Sequence, residues 1–355
     1  MSDSREFDVI VWGATGFTGK WVARYLHDHY PQDKLLWALG GRNADKLAML
    51  REFIGDRKAI VPTVLADSND EASLTCMVAR TRVIISTVGP YAHHGSLLVK
   101  ACANAGTDYV DLCGEVPWMR QMIDAHETAA QSSGARIVHS CGFDSIPSDM
   151  GNYYIQKQAY KKFKSYLQTV QFALIKAKGG LSGGTAHSML NVLEQVTKDK
   201  TVRQLMTNPY SLNPDPTFKG VDRGEQITAK YNRDFASWTA PFVMSAINTR
   251  VVRRSNALLD FRYGEDFSYT ETMATSRGLI GFTAATSIAS AVAAFGLAGI
   301  TSAGRKLLGL MLPSQGKGPK VDLQDPGYYI IELHGATRAG EKIHVRVSGD
   351  ADPGY

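Results

Sequence analysis

Residues 7–29 have the sequence FDVIVWGATGFTGKWVARYLHDH, which changes from an apolar run to a helical pattern at a cluster of glycines. Phe7 to Trp12 is a short apolar run typical of a strand. From Gly16 to His29 the large apolar side chains recur at helical spacing, with one face formed by Trp21, Val22, Tyr25 and Leu26. The stretch therefore predicts a strand, a tight turn and a helix, the first unit of a parallel α/β sheet.

The glycines at this turn follow the pattern GxxGxxG, at Gly13, Gly16 and Gly19. The pattern is a variant of the dinucleotide-binding fingerprint, in which the first glycine allows the tight turn and the second lets the backbone approach a pyrophosphate. The third lets the helix pack closely on the sheet. The N-terminus of that helix presents free N–H groups to the phosphates. Taken alone, the motif is also compatible with an ordinary glycine-rich turn.

The end of the second predicted strand indicates which dinucleotide is bound. Enzymes that use NAD usually have an acidic residue there for the ribose 2′-hydroxyl. This chain has Gly40-Gly41-Arg42-Asn43 instead, and an arginine suits the 2′-phosphate of NADP through charge and paired hydrogen bonds. The alternative for Arg42 is a surface arginine. For Asp67, after the third strand, a contact with the adenine and a helix cap are both open.

The fourth predicted strand ends in STVGPY, residues 86–91. Its backbone is expected near the nicotinamide ribose, where small residues give access; a helix-entry turn is the alternative. His93 and His94 follow. A histidine can donate a proton near neutral pH, although a pair of solvated loop histidines is the competing interpretation.

Strands and helices alternate through the first 150 residues. Further strands are predicted at Leu35–Leu39, Ala59–Leu65, Val83–Thr87, Tyr109–Leu112 and Arg136–Ser140. This alternation predicts an N-terminal Rossmann domain, residues 1–150, with a doubly wound parallel sheet. Residues 151–355 predict a second, α+β domain with irregular loops at 207–245 and a hairpin of Tyr328–Thr337 with Lys342–Val347. A length of 355 residues suits two domains.

Composition excludes several classes of protein. The chain is 44% hydrophobic and 21% charged, with a net charge of +5 and no dense block of lysine or arginine. Nucleic-acid binding is therefore not predicted. The four cysteines make no CxxC pair and no zinc-spaced cluster with histidine, so no metal site is predicted. Reduced cysteines and a polar N-terminus without a signal-peptide pattern predict a cytoplasmic protein.

The segment from Gly278 to Ser302 is 25 residues long without a charge, between Arg277 and Arg305. It is long enough to span a bilayer, but small residues dominate it, and these favour close helix packing. Three interpretations stay open: a buried or interface helix, a helix in contact with a membrane surface, and a true membrane span.

Seven stretches together carry a resemblance to a known family. They are VWGATGFTG (11–19), GGRN (40–43), STVGPYAHHG (86–95), DYVDLCGE (108–115), CGFDSIPSD (141–149), SGGTAHSML (182–190) and DPGY (352–355). Over nearly its whole length the chain resembles the saccharopine dehydrogenase-like oxidoreductases, and more closely their trans-acting enoyl reductase branch. Saccharopine reductases have a GLDPGIDH-like segment where this chain has GFDSIPSD, which argues against saccharopine chemistry.

The resemblance implies an NADP-binding Rossmann domain and reduction of carbon–carbon double bonds in acyl or lipid precursors of polyketide type. The predicted cofactor contacts are Gly13, Thr15, Gly16, Phe17, Thr18, Gly19, Arg42, Asn43, Asp67, Thr87, Val88, Gly89, Pro90 and Tyr91. A eukaryotic branch of the family is associated with lipid droplets. Relatives continue beyond the DPGY motif, so we expect a C-terminal segment of the family to be missing here. A homodimer is left open.

Hydride transfer to a conjugated double bond needs a polarised carbonyl and a proton for the α-carbon. The candidates for these roles are Tyr91, His94 and Asp144, which follow strands at the carboxyl edge of the sheet, where ligands bind. Glu115 is a weaker candidate, with helix capping as its alternative. Cys113 and Cys141 are expected as small buried residues near the site. Imine reduction on an amino-acid adduct and a non-catalytic NADP-binding lipid-surface protein are the alternative functions.

Overall fold

The computed structural model describes residues 5–179, 183–312, 318 and 327–350, with residues 183–186 described through their backbone alone. Two six-stranded sheets form the framework of this part of the chain. The DPGY motif and Ser182, which begins SGGTAHSML, lie outside the described residues.

The N-terminal sheet alternates with helices along the chain. Its strands are β1 (Phe7–Trp12), β2 (Trp37–Gly41), β3 (Thr63–Leu65), β4 (Thr81–Ser86), β5 (Asp108–Asp111) and β6 (Ile137–Val138). The helices are α1 (Phe17–His29), α2 (Ala44–Ile54), α3 (Glu71–Val78), α4 (Tyr91–His94), α5 (Ser96–Ala105) and α6 (Val116–Ser133). The strand order is β3-β2-β1-β4-β5-β6, with every neighbouring pair parallel. This is the order of the doubly wound dinucleotide-binding fold, so the predicted Rossmann sheet is confirmed.

Burial explains why β1 is an almost continuous apolar run. Ile10 and Trp12 pack into a core cluster with α3, α5 and α6, while Val11 packs into a second cluster with α1 and α2. A parallel strand covered by helices on both faces needs apolar side chains on both. The sheet therefore holds the carboxyl end of β1, and the glycine turn after it, in a fixed position.

The C-terminal part contains a mixed sheet. Its strands are β7 (Leu167–Lys178), β8 (Lys230–Asn232), β9 (Ser237–Pro241), β10 (Ser268–Ala274), β11 (Tyr328–Thr337) and β12 (Lys342–Gly349). The helices are α7 (Ile146–Phe163), α8 (Gly183–Lys198), α9 (Lys200–Thr207), α10 (Ser245–Leu258), α11 (Gly278–Ile300) and α12 (Ser302–Met311). The order is β12-β11-β7-β10-β9-β8, in which β7 and β10 are parallel and the other pairs antiparallel. The predicted α+β architecture and its hairpin are confirmed.

Two details differ from the sequence prediction. The predicted boundary near residue 150 falls inside α7, which contacts β7, β11 and β12 of the second sheet. The region 207–245 was predicted as irregular loop, but it contains β8 and β9. Both strands are short, and β8 (KYN) is polar. They therefore lack the apolar alternation by which strands are found in a sequence.

Helix α11 is exposed over most of its surface, so this segment is not a buried helix, and its interpretation as an interface helix stays a prediction. Its 23 residues bury one stripe of small side chains, Gly281, Ala285, Ala289 and Gly299. Several large side chains point outward: Ile280 is 78% exposed and Leu297 68%. By length and composition alone, α11 is a helix that could cross a membrane, although only 17% of its most apolar window is buried.

Candidate active site

The glycine turn after β1 has the geometry that a pyrophosphate cradle requires. Gly13 has a φ of +80°, a left-handed conformation that glycine adopts without strain. A Cβ on Gly19 would lie 2.2 Å from the carbonyl oxygen of Gly13, so only glycine allows α1 to approach the turn this closely. The hydroxyl of Thr87 lies 3.1 Å from the carbonyl oxygens of both Trp12 and Gly13. The turn is therefore held from the adjacent strand β4.

The N-terminus of α1 faces the cleft without a side-chain cap. Gly16 is the N-cap residue, and no acidic residue follows it in the first turn. Thr15, Gly16, Phe17 and Thr18 line the cleft. Because the first N–H groups of a helix have no intrahelical acceptor, they are available to an anion. The turn and the helix together fit the pyrophosphate of a dinucleotide.

At the end of β2, Arg42 lines the cleft with an exposed side chain that makes no hydrogen bond or ion pair with a described residue. Its neighbour Asn43 does not line the cleft, because its side-chain oxygen caps α2 by accepting from the N–H of Lys46 at 2.9 Å. Arg42 thus presents its guanidinium at the place where the adenosine ribose is expected.

Asp67 also does not line the cleft. Its carboxylate accepts from the N–H of Asn69 at 2.9 Å and closes a local turn. The cap of α3 is Asp70, not Asp67. Ser68 and Asn69, which the sequence analysis did not single out, line the cleft at this point.

The loop after β4 forms the next part of the cleft wall, with Thr87, Val88, Gly89 and Tyr91 lining it. Pro90 does not line it; it follows a cis peptide bond and is the N-cap residue of α4. The hydroxyl of the buried Tyr91 donates to the carbonyl oxygen of Ser86 at 3.1 Å, and the N–H of Leu112 lies 3.3 Å from the same hydroxyl oxygen. Burial raises the pKa of Tyr91 well above its ordinary value.

Glu115 caps a helix, which the sequence analysis gave as the alternative to a catalytic role. The helix that its side chain caps is α4, not α6, which directly follows it in the chain. Its buried carboxylate accepts from the N–H groups of Tyr91 and Ala92, at 2.8 and 3.1 Å. It also accepts from the hydroxyl of Ser188 on α8, at 2.8 Å. One carboxylate therefore joins the loop after β4 to a helix of the C-terminal part.

His94 and Asp144 both line the cleft, whose volume is about 520 Å³. Asp144 receives no hydrogen bond from a described residue, and burial raises the pKa of its carboxyl to about 6. His94 lies at the end of α4, with its ring 6.2 Å from that of its neighbour His93. The structure thus brings Tyr91, His94 and Asp144 to one cleft.

Beyond these residues the cleft continues into an apolar lobe that the sequence analysis did not anticipate. Its lining comes from α8, α9, α10, α11 and the turn before α10: Met189, Val192, Leu193, Met206, Met244, Ile247, Val292 and Phe295. These positions look like ordinary helix core in the sequence, because the same apolar spacing serves a core and a pocket. An apolar lobe next to the cofactor cleft suits the hydrocarbon part of a substrate.

Comparison with known proteins gives the same assignment. The model of the saccharopine dehydrogenase NADP-binding domain matches residues 9–138. A trans-acting enoyl reductase of Mycobacterium bovis (strain BCG) is 35% identical over 366 residues, covering 98% of this chain and 85% of that protein. A Mycobacterium tuberculosis protein provisionally given the same name is 40% identical over 368 residues, covering 99% and 85%. This chain belongs to the trans-acting enoyl reductase family.

As a member of this family the protein is an NADP-dependent oxidoreductase. A solved structure shows the same fold: apo saccharopine dehydrogenase (L-Glu-forming) from Saccharomyces cerevisiae, with a TM-score of 0.51 at 14% identity. That match covers 98% of this chain and 88% of the yeast chain.

In this family member the segment 141–149 is anchored from both parts of the chain. On the Rossmann side, the N–H of Cys141 donates to the carbonyl oxygen of Asp111 at 2.6 Å, and the buried carboxylate of Asp111 accepts from the N–H of the preceding Ser140 at 2.9 Å. On the other side, Ser145 donates to Asn248 at 2.9 Å, and Asn248 donates to the buried Glu271 at 3.0 Å. These contacts fix the segment that carries Asp144.

The two cysteines of these motifs have different surroundings. Cys113 is buried, and its sulfur accepts from the N–H of Glu115 at 3.2 Å. Cys141 is half-buried and lies in the wall of a separate cavity, not in that of the cofactor cleft. Burial raises the pKa of the Cys141 thiol to about 11, which leaves the thiol protonated at neutral pH.

Proposed function

We propose that the protein reduces a carbon–carbon double bond conjugated to a carbonyl in an acyl or lipid substrate. The observation that carries the proposal is the apolar lobe that opens from the cofactor cleft beside Asp144. Relatives with 33–40% identity over nearly the whole chain carry the name trans-acting enoyl reductase. Bound NADPH would supply the hydride, and the protein would hold the carbonyl and deliver the proton.

We assign the NADP contacts to the glycine turn, the start of α1, Arg42 and the loop after β4. The pyrophosphate would accept from the N–H groups of residues 17 and 18, since α1 has no side-chain cap and the N–H of Gly16 already donates to the carbonyl oxygen of Gly13 at 2.9 Å. The 2′-phosphate would accept from the guanidinium of Arg42, which is unpaired among the described residues. Val88 and Gly89 would border the nicotinamide ribose.

Asp144 is our candidate for the proton donor. Its carboxyl has no partner among the described residues, and burial raises its pKa to about 6. A general acid works best when its pKa lies near the working pH, because the protonated form is then populated and still acidic. His94 is the second candidate. Tyr91 is the weakest of the three as an acid, because its hydroxyl already donates to Ser86.

The reaction is tested by following NADPH oxidation with purified protein and a panel of substrates. We expect turnover with a long-chain 2-enoyl thioester and none with the saturated thioester. Saccharopine, or 2-oxoglutarate with aminoadipate semialdehyde, forms the arm for imine chemistry. Turnover in that arm alone would refute the proposal, and NADPH binding with no turnover in any arm would favour a non-catalytic binding protein.

A second proposal concerns the exposed face of α11 and α12: the protein binds peripherally to an anionic membrane or lipid surface from the cytoplasm. Large apolar side chains point outward from both helices: Leu279, Ile280, Leu297, Leu307 and Leu310, of which Leu310 is 85% exposed. Arg277 directly precedes α11, and Arg305 and Lys306 follow it within α12. An uncharged helix with basic flanks suits the interface of an anionic bilayer. The stripe of α11 packed on β9 and α8 argues against a span, which would separate these elements.

Flotation with vesicles of phosphatidylcholine, with and without phosphatidylglycerol, tests this contact. We expect binding to the anionic vesicles and its loss in Ile280→Glu. Ile227→Glu is the matched control, because Ile227 and Ile280 are both 78% exposed. Equal flotation of the two variants would refute the proposal. Self-association that disappears in Ile280→Glu would assign the face to a homodimer instead.

A further inference from the structure

A second cavity, of about 270 Å³, lies between α6 and β6 of the Rossmann part and α7 and α10 of the C-terminal part. None of its lining residues lines the cofactor cleft. The segment 141–149 borders both spaces: Asp144 lines the cleft, whereas Cys141, Ser145 and Asp149 line the second cavity. The cavity is thus separate from the proposed active site but shares one wall segment with it.

Most of the cavity wall is apolar and adaptable. Three methionines contribute to it, Met119, Met122 and Met150, together with Ile123, Ile146 and Leu258. Methionine side chains adjust to ligands of different shape. Ligand sites usually have roughly 300–1,000 Å³, so a cavity of about 270 Å³ suits a small ligand with a hydrocarbon part.

One cation in the wall, Arg254, forms no hydrogen bond with a carboxylate among the described residues. Arg254 on α10 donates from Nη1 to the carbonyl oxygen of Leu212 at 2.7 Å. The carboxylate of Glu127 lies 4.0 Å away, beyond hydrogen-bond distance. The other guanidinium N–H groups have no acceptor in the part of the chain that the structure describes. Burial lowers the pKa of Arg254, whose side chain is 21% exposed. An anion that reaches this guanidinium would replace the hydration that the charge has lost.

A second polar group in the wall is also incompletely satisfied. His139 lies with Nδ1 2.7 Å from the carboxylate of Asp111, and its side chain is 9% exposed. Its other nitrogen, Nε2, is buried and has no hydrogen-bond partner among the described residues. Buried polar atoms normally have partners, so this nitrogen is a polar atom left unsatisfied in a residue of the cavity wall.

We propose that the second cavity is a binding site for a small amphiphile with an anionic head, whose carboxylate is held by Arg254 and whose chain packs among the methionines. Binding there would restrict the segment 141–149 and so alter the position of Asp144. The effect on turnover rests on the proposed reductase function, but the binding itself does not.

The probe is decanoate, titrated calorimetrically into protein saturated with NADPH, with decanol and decylamine in parallel. A charge-assisted contact with Arg254 should make decanoate bind about tenfold tighter than decanol. Arg254→Met should abolish this preference. Arg262→Met is the matched control, since Arg262 lines neither cavity, and it should bind decanoate as the wild type does.

A second variant keeps the test valid if Arg254→Met folds poorly. Leu258 is 57% exposed in the cavity wall, so Leu258→Trp should obstruct the cavity and weaken decanoate binding at least tenfold without removing the cation. Absence of saturable binding would overturn the proposal, as would tighter binding of decylamine. If both variants bind decanoate as the wild type does, and an enoyl thioester displaces it, the ligand lies in the apolar lobe. That result would also overturn the proposal. A positive binding result with no enoyl turnover would refute the reductase function alone.

Discussion

Replacing Arg42 by alanine should weaken NADPH binding and leave NADH binding unchanged. Arg42 makes no hydrogen bond or ion pair with a described residue, so its removal disturbs no internal contact within that part of the chain. Hydrogen bonds to charged groups contribute about 1.5–3 kcal/mol each. Because this side chain is exposed, solvent screening favours the lower end of that range. A loss of about 1.5 kcal/mol corresponds to roughly a tenfold increase in the Kd for NADPH.

Isothermal titration of both dinucleotides into the wild type and the variant measures this difference directly. Arg57→Ala is a suitable control, because Arg57 is an exposed cation of the same domain that does not line the cleft. The control should bind NADPH as the wild type does. Raising the salt concentration should reduce the wild-type preference for NADPH, since the contact is an exposed ionic one.

Two results would refute the reasoning. Equal weakening of NADPH and NADH in Arg42→Ala would mean that Arg42 supports the fold of the cleft and does not bind the 2′-phosphate. Unchanged affinity for both would mean that another group binds this phosphate.

The site and its supports lead to three more predictions. Asp144→Asn should lower kcat for the enoyl substrate by roughly 10²-fold or more. The rate of the wild type should decline as the pH rises above about 6, and this decline should be absent in the variant. A variant that retains the pH profile of the wild type would exclude Asp144 as the acid. Gly19→Ala should abolish NADPH binding or unfold the domain, because its Cβ would lie 2.2 Å from the carbonyl oxygen of Gly13. Urea unfolding would detect the loss of stability, and NADPH titration would detect the loss of binding. Wild-type results in both experiments would contradict this close approach of α1 to the turn. Burial raises the pKa of Glu271 to about 7, above its ordinary 4.5. This carboxyl therefore contributes stability that is complete below about pH 4.5 and is lost as the pH rises through about 7. The unfolding free energy of the wild type relative to Glu271→Gln should fall over this interval, and a constant difference would count against the shift.

The first half of the fold could be predicted from the sequence because its signals are local. The strand Phe7–Trp12 and the glycine turn lie where they were expected, since a strand buried on both faces is apolar throughout and the turn requires glycine. In contrast, α10 was not predicted. Its buried positions include Asn248, Thr249 and Arg253, which are satisfied by partners far along the chain. A helix with a polar buried face has no apolar periodicity.

The candidate site was predictable in part for the same reason. Residues placed by the end of a strand, such as Arg42 and Asp144, line the cleft. Asn43 and Asp67 do not, because short polar side chains next to a helix or turn bond to the nearby backbone first. The apolar lobe depends on how α8 and α11 pack against the Rossmann part, which local spacing does not encode.

Helix α11 supplies Val292 and Phe295 to the cleft while its opposite side is exposed and uncharged. One helix therefore borders both the outside of the molecule and the apolar lobe. Each methylene transferred into water costs about 0.8 kcal/mol, so a chain of about ten methylenes costs on the order of 8 kcal/mol. A substrate that slides along α11 from a lipid phase avoids this cost. The rate of substrate reduction would then depend on the density of substrate per unit area of the lipid phase. Dilution of substrate-loaded vesicles at constant lipid composition would leave this rate almost unchanged.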